Sequence, residues 1–331
     1  MDLSALALSA MTSGESNTEE TADFITKRVA FLGPHGTFCE EAALSQPDLA
    51  SSELIPMRSI AEVFEAVDSG DCTLGVVPLE NTIEGSVSLT LDMLVFDSEA
   101  MIQREIDHNI SLCLAGKQGS DIDSARSILS HPHALAQCRS YIDEKIPLAA
   151  IKASDSTASA AQSVSEANDL TTVAICPTEA ARRYGLEILD THIQDRDVNQ
   201  TRFIVIGNGI PASTGNDKTS IVGFQRANRP GSLVAILTEF ASRNIDLTKL
   251  ESRPTKEGLG QYCFIMDFVG HLSDPEVSAC LTTVRSEHAD IKFLGSYPIE
   301  GDVGSIIPTN GKVWKDTDQW LTDLQAKVEK P

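Results

Sequence analysis

The chain has 331 residues, 41% of them hydrophobic and 22% charged, which is normal for a globular protein and long enough for two or three domains. Its formal net charge of −22 argues against nucleic-acid binding, which needs a basic face, although local helix N-termini can still bind an anionic substrate. No apolar run is long enough to span a bilayer, and the seven cysteines, scattered without a CxxC pair, are typical of free thiols in a reducing compartment. We therefore expect a cytoplasmic protein with no metal site and no membrane or nucleic-acid partner.

The first ordered elements are expected after a polar tail. Residues 1 to 27 are rich in Ser, Thr and Glu and are predicted to be disordered. Residues 28 to 33 form a short apolar run that ends in glycine, and a Pro-His-Gly-Thr-Phe turn then leads into an Ala-rich helix. A strand, a glycine turn and a helix N-terminus can bind an anion, although a single turn of this kind is more often only structural. Thr37 is the candidate ligand residue here, and Ser59 is predicted to cap the next helix.

The densest polar signal lies between residues 75 and 95. A buried strand, Gly-Val-Val-Pro, is followed by the eight-residue stretch Leu-Glu-Asn-Thr-Ile-Glu-Gly-Ser, which we predict to be a ligand loop. Apolar residues then recur at helical spacing, and Ser86 is a plausible N-cap of that helix.

A second α/β block spans residues 105 to 185. Strands are predicted at residues 110–115, 127–130, 149–153 and 173–176, and helices at 134–145, 157–168 and 178–184. The last strand of this region follows as Asn-Gln-Thr-Arg-Phe-Ile-Val-Ile, which places a hydroxyl and a guanidinium at the mouth of a buried strand, or simply at a solvated strand edge. Alternating elements predict a mostly parallel α/β architecture, in which two blocks face each other across a cleft.

The C-terminal part has a different pattern. A linker at residues 211 to 217 precedes a β-α-β-β-α-β order over residues 218 to 298, which is typical of a ferredoxin-like module. Residues 299 to 331 form a polar tail to which no function is assigned.

Six motifs in this order resemble the prephenate dehydratases over roughly residues 28 to 298: FLGPHGTF, GVVPLENTIEGSVSLTLDML, SHPHALAQC, NQTRF, RPGSL and ESRP. The resemblance implies a two-lobed catalytic region at residues 28 to 210 with the type II periplasmic-binding-protein fold, its second lobe at about 107 to 188. It also implies a ferredoxin-like ACT domain at residues 218 to 298. Family members use no metal or organic cofactor and assemble as homodimers or homotetramers.

The resemblance also implies a reaction and its residues. Prephenate would lose its ring hydroxyl and CO₂ to give phenylpyruvate, for phenylalanine synthesis. Thr201 is the residue most closely tied to catalysis in the family, and Glu80 could supply a proton only if burial raised its pKa. The implied substrate-binding residues are Thr37, Asn81, Thr82, Gly85, Ser86, Ser156, Thr157, Asn199, Arg202 and Phe203.

Some of these assignments stay open in the sequence. Arg202 could equally bind a carboxylate or tie strands together, whereas for Phe203 a place in the core is favoured over contact with the ligand. Thr82 stands where serine is commoner in the family, and His133 where glutamine is usual. Neither His133 nor the other histidines of these segments is assigned a catalytic role.

L-phenylalanine is the implied allosteric effector, bound between paired ACT domains. Gly231 would let the backbone approach the ligand, and the free N–H groups of the helix that follows suit a carboxylate. Arg253 is expected to lock the subunit interface rather than bind the ligand. The residues assigned to this regulatory site are Asn228, Pro230, Gly231, Ser232, Leu233, Glu251, Ser252, Arg253 and Pro254.

Three alternatives remain beside the dehydratase. Arogenate dehydratases carry out the same elimination on the corresponding amino acid, and the sequence does not reveal which residue would recognise its amino group. A non-catalytic amino-acid sensor would need an output module, and no helix-turn-helix or basic segment is visible. A purely structural role for every polar turn would require several hydroxyl-rich helix starts to match one family's motif order by coincidence.

Overall fold

The computed structural model describes residues 27–196, 198–226, 230–256, 258 and 261–300. The two predicted tails lie almost entirely outside these ranges. Within them, no helix is long and apolar enough to cross a membrane, and no group of three or more His, Cys, Asp or Glu side chains could hold a metal ion.

Strands and helices alternate along most of the described chain. The strands are β1 (Arg28–Leu32), β2 (Glu53–Met57), β3 (Leu74–Asn81), β4 (Gly85–Ser86), β5 (Met101–Asn109), β6 (Cys113–Gly116), β7 (Ser127–Ser130), β8 (Ala150–Ala153), β9 (Thr172–Cys176), β10 (Glu187–Thr191), β11 (Gln200–Gly207), β12 (Asp217–Gln225), β13 (Leu247–Pro254), β14 (Tyr262–Val269) and β15 (Ala289–Pro298). The helices are α1 (Phe38–Leu44), α2 (Pro47–Ala50), α3 (Ile60–Asp68), α4 (Ser88–Asp92), α5 (Pro132–Gln137), α6 (Arg139–Lys145), α7 (Thr157–Glu166), α8 (Thr178–Arg183), α9 (Ser232–Ser242) and α10 (Pro275–Thr283), with π-helical turns at Met93–Asp97 and Val284–His288.

The first lobe is built on a sheet with strand order β2-β1-β3-β11-β5, and β4 pairs with β3. Strands β1, β2 and β3 are parallel, but β11 runs antiparallel to both of its neighbours. The sheet is therefore mixed: β1, β2, β3 and β5 run in one direction, and β11 and the short β4 run against them. Strand β5 was not predicted, because Arg104, Glu105 and Asp107 interrupt its apolar pattern, and their charges are compensated only by residues distant in sequence.

The second lobe has a sheet of order β10-β6-β9-β7-β8, also mixed, in which β7 is parallel to β8 and β9 while β6 is antiparallel to β9 and β10. The single helix predicted at residues 134 to 145 is two helices, α5 and α6, which divide at Cys138. Strand β10 was not predicted either, so the sequence underestimated the antiparallel part of both lobes.

The polar stretch predicted as an eight-residue loop is mainly a β-hairpin. Strand β3 continues to Asn81, and the chain returns through β4, which pairs Glu80 with Ser86. Ser86 is therefore not the N-cap of the following helix, a position held by Val87. The predicted cap Ser59 is confirmed, because its hydroxyl accepts from the Glu62 N–H, and Ser156 caps α7 in the same way by accepting from the Ser159 N–H.

The C-terminal module has the predicted β-α-β-β-α-β order, and its sheet runs β13-β14-β12-β15. Helices α9 and α10 share a core with one side of this sheet. The other side packs on the first lobe, where Val222, Ile265 and Leu294 join the same apolar core as Ile102 and Ile204. The module is thus joined to the first lobe by a continuous hydrophobic core.

Candidate active site

A cavity of about 1160 Å³ lies between the two lobes. Its walls are formed in the first lobe by the turn after β1, the β3–β4 hairpin and β11. In the second lobe they are formed by the starts of α5 and α7 and the end of α8. Eight of the residues predicted from the sequence line it: Thr37, Asn81, Gly85, Ser86, Ser156, Thr157, Thr201 and Phe203. The segments predicted to converge on one cleft are therefore brought together.

The Thr201 hydroxyl is held by one neighbour, Asn81, which lies directly opposite it in the sheet. The Asn81 amide nitrogen donates to Thr201 Oγ1 at 2.8 Å. Its amide oxygen accepts from the backbone N–H groups of Ile83 and Glu84 at 2.8 and 3.1 Å, which fixes the orientation of the amide. Among the described residues, no protein group accepts the Thr201 hydroxyl proton, so this proton is available to a ligand in the cleft.

A second amide pair connects this arrangement to the other lobe. Buried Asn199 accepts a hydrogen bond from the Asn81 amide at 2.9 Å and donates one to Gln137 Oε1 at 2.9 Å. Gln137 lies on α5 and lines the cavity, and its amide nitrogen donates to Glu84 Oε1 at 3.5 Å. Sequence reasoning missed Gln137, although it lies in a motif that carried the resemblance, because only the histidines of that motif were weighed.

Glu80 and Arg202 lie on the opposite face of the same two strands, because side chains alternate along a strand. Glu80 is 3.3 Å from Lys249 Nζ, and Arg202 Nε is 3.3 Å from Asp107 and 3.4 Å from Glu105. Burial lowers the pKa of Arg202 but these carboxylates raise it more, so the net shift is upward. Neither residue lines the cavity. Of the two roles considered for Arg202, this geometry corresponds to the one that ties strands together.

Most of the other hydroxyl groups predicted to bind substrate already form hydrogen bonds within the chain. Thr82 lies off the cavity and accepts from the Gln200 N–H at 3.0 Å. Thr37 donates to the Leu32 carbonyl at 3.0 Å and caps α1. Ser156 caps α7 by accepting from the Ser159 N–H, and the start of this ten-residue helix lines the cavity through Ser156, Thr157 and Ser159.

Charged and titratable groups line the cavity near the junction of the lobes. Arg183 of α8 lies 3.4 Å from buried Glu40, which also accepts a hydrogen bond from the Gly36 N–H. Burial, together with His133, lowers the pKa of His131, so its imidazole is neutral at neutral pH. Burial raises the pKa of the Cys39 thiol to about 12, which excludes a thiolate nucleophile there.

The residues assigned to phenylalanine binding divide between two faces. Strand β13 alternates half-buried and exposed residues, so that Glu251 and Arg253 point toward the first lobe and Ser252 and Pro254 point outward. The Arg253 guanidinium donates to the Ser88 carbonyl and pairs with Asp92 of the same chain. The Arg253 side chain is therefore engaged within the chain, and its role at a subunit interface stays a prediction.

The start of α9 is arranged differently from β13. Gly231 is its N-cap, with a φ of 87°, next to Pro230 and ahead of Ser232 and Leu233. A left-handed φ of this kind favours glycine. The predicted ligand residue Asn228 lies outside the described residues.

Comparison with known proteins matches residues 29–210 to the prephenate dehydratase family model and residues 220–285 to the ACT domain model. The chain belongs to the prephenate dehydratase family. A protein from Mycolicibacterium vanbaalenii named prephenate dehydratase is 37% identical over 312 residues, which cover 90% of this chain and 98% of that protein. The resemblance drawn from six sequence motifs is thereby confirmed.

Solved structures of the family agree with this fold. A prephenate dehydratase from Arthrobacter aurescens, crystallised in complex with L-Phe, aligns with a TM-score of 0.78 at 34% identity and covers 91% of this chain and 100% of its own. The predicted fold class, a two-lobed binding-protein-like region followed by an ACT domain, is confirmed. A protein described as a quorum quenching acylase, GqqA, also aligns, with a TM-score of 0.74 at 28% identity over 83% of this chain and 98% of its own. The reaction must therefore be argued from the residues of the cleft.

Proposed function

We propose that the chain is a prephenate dehydratase that converts prephenate and one proton to phenylpyruvate, water and CO₂, under allosteric control by L-phenylalanine. The observation that carries this proposal is the Thr201 hydroxyl, which accepts from Asn81 and keeps its proton free for a ligand in the interlobe cavity. Loss of the ring hydroxyl of prephenate needs an aimed hydrogen-bond donor of this kind, because negative charge develops on the leaving oxygen.

The rest of the cleft supports the same chemistry through positioning. Prephenate is a dianion, and the cavity offers the N-terminus of α7 and the guanidinium of Arg183 as groups that favour carboxylates. Aromatisation of the ring supplies the driving force for loss of CO₂, so the protein needs mainly to hold the substrate and aim its donors. Glu80 has no part in this proposal, because it lies on the face of the sheet away from the cavity.

The same cleft is poorly suited to acyl transfer. A threonine nucleophile needs a neighbouring base to take its proton, and no described side chain accepts the proton of Thr201. Cys39 stays protonated for the reason given above. These observations favour the dehydratase over an acylase.

The ACT domain supports regulation and assembly. L-phenylalanine is proposed to bind near Gly231 between ACT domains paired in a homodimer or homotetramer, and the exposed apolar side chains Val234, Leu250 and Tyr262 of this domain support such pairing. All seven cysteines are free and buried, which supports the cytoplasm as the compartment.

Turnover of two substrates tests the proposed function. The purified protein is mixed with prephenate or with arogenate, and phenylpyruvate or phenylalanine is measured as the product. Formation of phenylpyruvate from prephenate is expected, and it should rise with protein concentration and fall sharply in Thr201→Ala. Exclusive formation of phenylalanine from arogenate would replace the proposed substrate, and no product from either would overturn the proposed activity.

A further inference from the structure

The ACT domain contacts the catalytic hairpin directly through Lys249 of β13. The Lys249 ammonium lies 3.3 Å from Glu80 Oε2 and 3.1 Å from Ser86 Oγ, two side chains that lie opposite each other on β3 and β4. The Ser86 hydroxyl donates in turn to Glu251 Oε2 at 2.7 Å. Both hydrogen-bonding directions of this hydroxyl are therefore taken up by the ACT domain.

We propose that Lys249 and Glu251 are positioning residues for the dehydratase reaction, which act on the cleft across the domain boundary through Ser86. This inference rests on the proposed function. It assigns to strand β13 a part in turnover that is separate from effector binding on its exposed face.

The path from Lys249 to the reacting hydroxyl has few steps. Ser86 pairs with Glu80 and Gly85 pairs with Asn81, so a shift of the β4 segment displaces the hairpin around Asn81. Asn81 sets the orientation of the Thr201 hydroxyl at 2.8 Å. A small displacement of the hairpin would therefore misdirect the one donor on which the proposed chemistry depends.

Electrostatics explain why a cation is needed at this position. Lys249 is 14% exposed and lies between two carboxylates, Glu80 at 3.3 Å and Glu251 at 3.5 Å, which belong to different domains. Arg202 and Arg253 each approach only one of these carboxylates, at 3.8 and 3.4 Å. Without the ammonium, the two carboxylates would repel each other and separate β13 from the hairpin.

Steady-state kinetics of full-length variants with prephenate test the inference. Lys249→Met should lower kcat about ten- to a hundredfold with a smaller change in KM, because the orientation of the Thr201 hydroxyl matters mainly in the transition state. Lys249→Arg, which can still bridge the carboxylates, should retain most of the activity. If Lys249 acts through Ser86, adding Ser86→Ala to Lys249→Met should cause little further loss.

Lys292 offers a matched control. Its ammonium also joins the ACT domain to the first lobe, through the carbonyls of Val95 and Ser98 at 3.3 and 2.7 Å, but it does not contact the hairpin. Lys292→Met should lower the melting temperature and leave kcat near the wild-type value.

The outcomes separate this inference from the proposed function. The inference is overturned if Lys249→Met keeps the wild-type kcat or if Lys292→Met loses as much kcat as Lys249→Met. It is also overturned if the losses of kcat multiply in the Lys249→Met, Ser86→Ala double variant. If Lys249→Met does not fold, Glu251→Ala, which removes the acceptor of the Ser86 hydroxyl, is compared with Glu251→Gln, which keeps one. Equal kcat in that pair would also overturn the inference, whereas a wild type without phenylpyruvate formation would overturn the proposed function itself.

Discussion

The two faces of strands β3 and β11 differ in what their polar side chains do. On the cleft face, Asn81 and Thr201 form a neutral hydrogen-bonded pair with a free hydroxyl proton. On the other face, Glu80 and Arg202 join a network of charges that runs through Glu105 to the ACT domain. Neighbouring residues in the sequence thus serve chemistry on one side and domain attachment on the other. The predictions below test that division.

The largest expected effect comes from the cleft face. Thr201→Ala removes the aimed donor and should lower kcat by about 10²–10³-fold, with little change in melting temperature, because only a hydroxyl and a methyl group are lost. Thr201→Ser keeps a hydroxyl and should retain more activity than Thr201→Ala. Prephenate turnover by Thr201→Ala at the wild-type rate would show that this face does not carry the chemistry.

A smaller loss is expected from Asn81→Asp. The aspartate can still accept from the N–H groups of Ile83 and Glu84, so the turn should persist. Its second oxygen would accept the Thr201 proton instead of donating to Thr201, and kcat should fall about ten- to a hundredfold. Kinetics and thermal unfolding are measured together. A loss of stability without a loss of kcat would assign Asn81 to the fold alone.

On the opposite face, Lys218→Met should change stability rather than turnover. Lys218 and Glu105 form a buried ion pair, with Nζ 3.0 Å from both carboxylate oxygens, and removal of one partner leaves a buried charge. Because Arg202 still lies 3.4 Å from Glu105, we expect a loss of about 2 kcal/mol in the free energy of unfolding.

Urea denaturation measures this loss, with Arg139→Met as the control. That variant removes an exposed pair with Asp143, which should contribute less than about 0.5 kcal/mol. If Lys218→Met instead lowered kcat as strongly as Asn81→Asp, the Lys218–Glu105 pair would serve turnover and not only the attachment of the ACT domain.

The smallest effect on basal turnover is expected at Gly231. Its φ of 87° would strain valine or alanine, whereas asparagine tolerates this region and still adds a side chain. Gly231→Asn should weaken the response to phenylalanine and leave turnover without phenylalanine unchanged. Turnover is measured with and without phenylalanine for wild type and variant. An unchanged response would exclude this helix start as the effector site.

The sequence alone determined the family, the order of the domains and eight of the residues that line the cleft, because motif order and apolar periodicity depend on local spacing. Thr201, Asn81 and the cap Ser59 could be identified in this way. Strand β5 could not, since its charged residues are balanced only by partners distant in the chain.

Which face each side chain occupies was decided only by the tertiary structure. A strand alternates its side chains, so Glu80 and Asn81, or Thr201 and Arg202, separate to opposite sides once the register with neighbouring strands is set. The same pairing placed Ser86 against the ACT domain. These roles depend on contacts between residues 100 or more positions apart, such as Asn81 with Thr201 and Ser86 with Glu251, which spacing along the sequence does not encode.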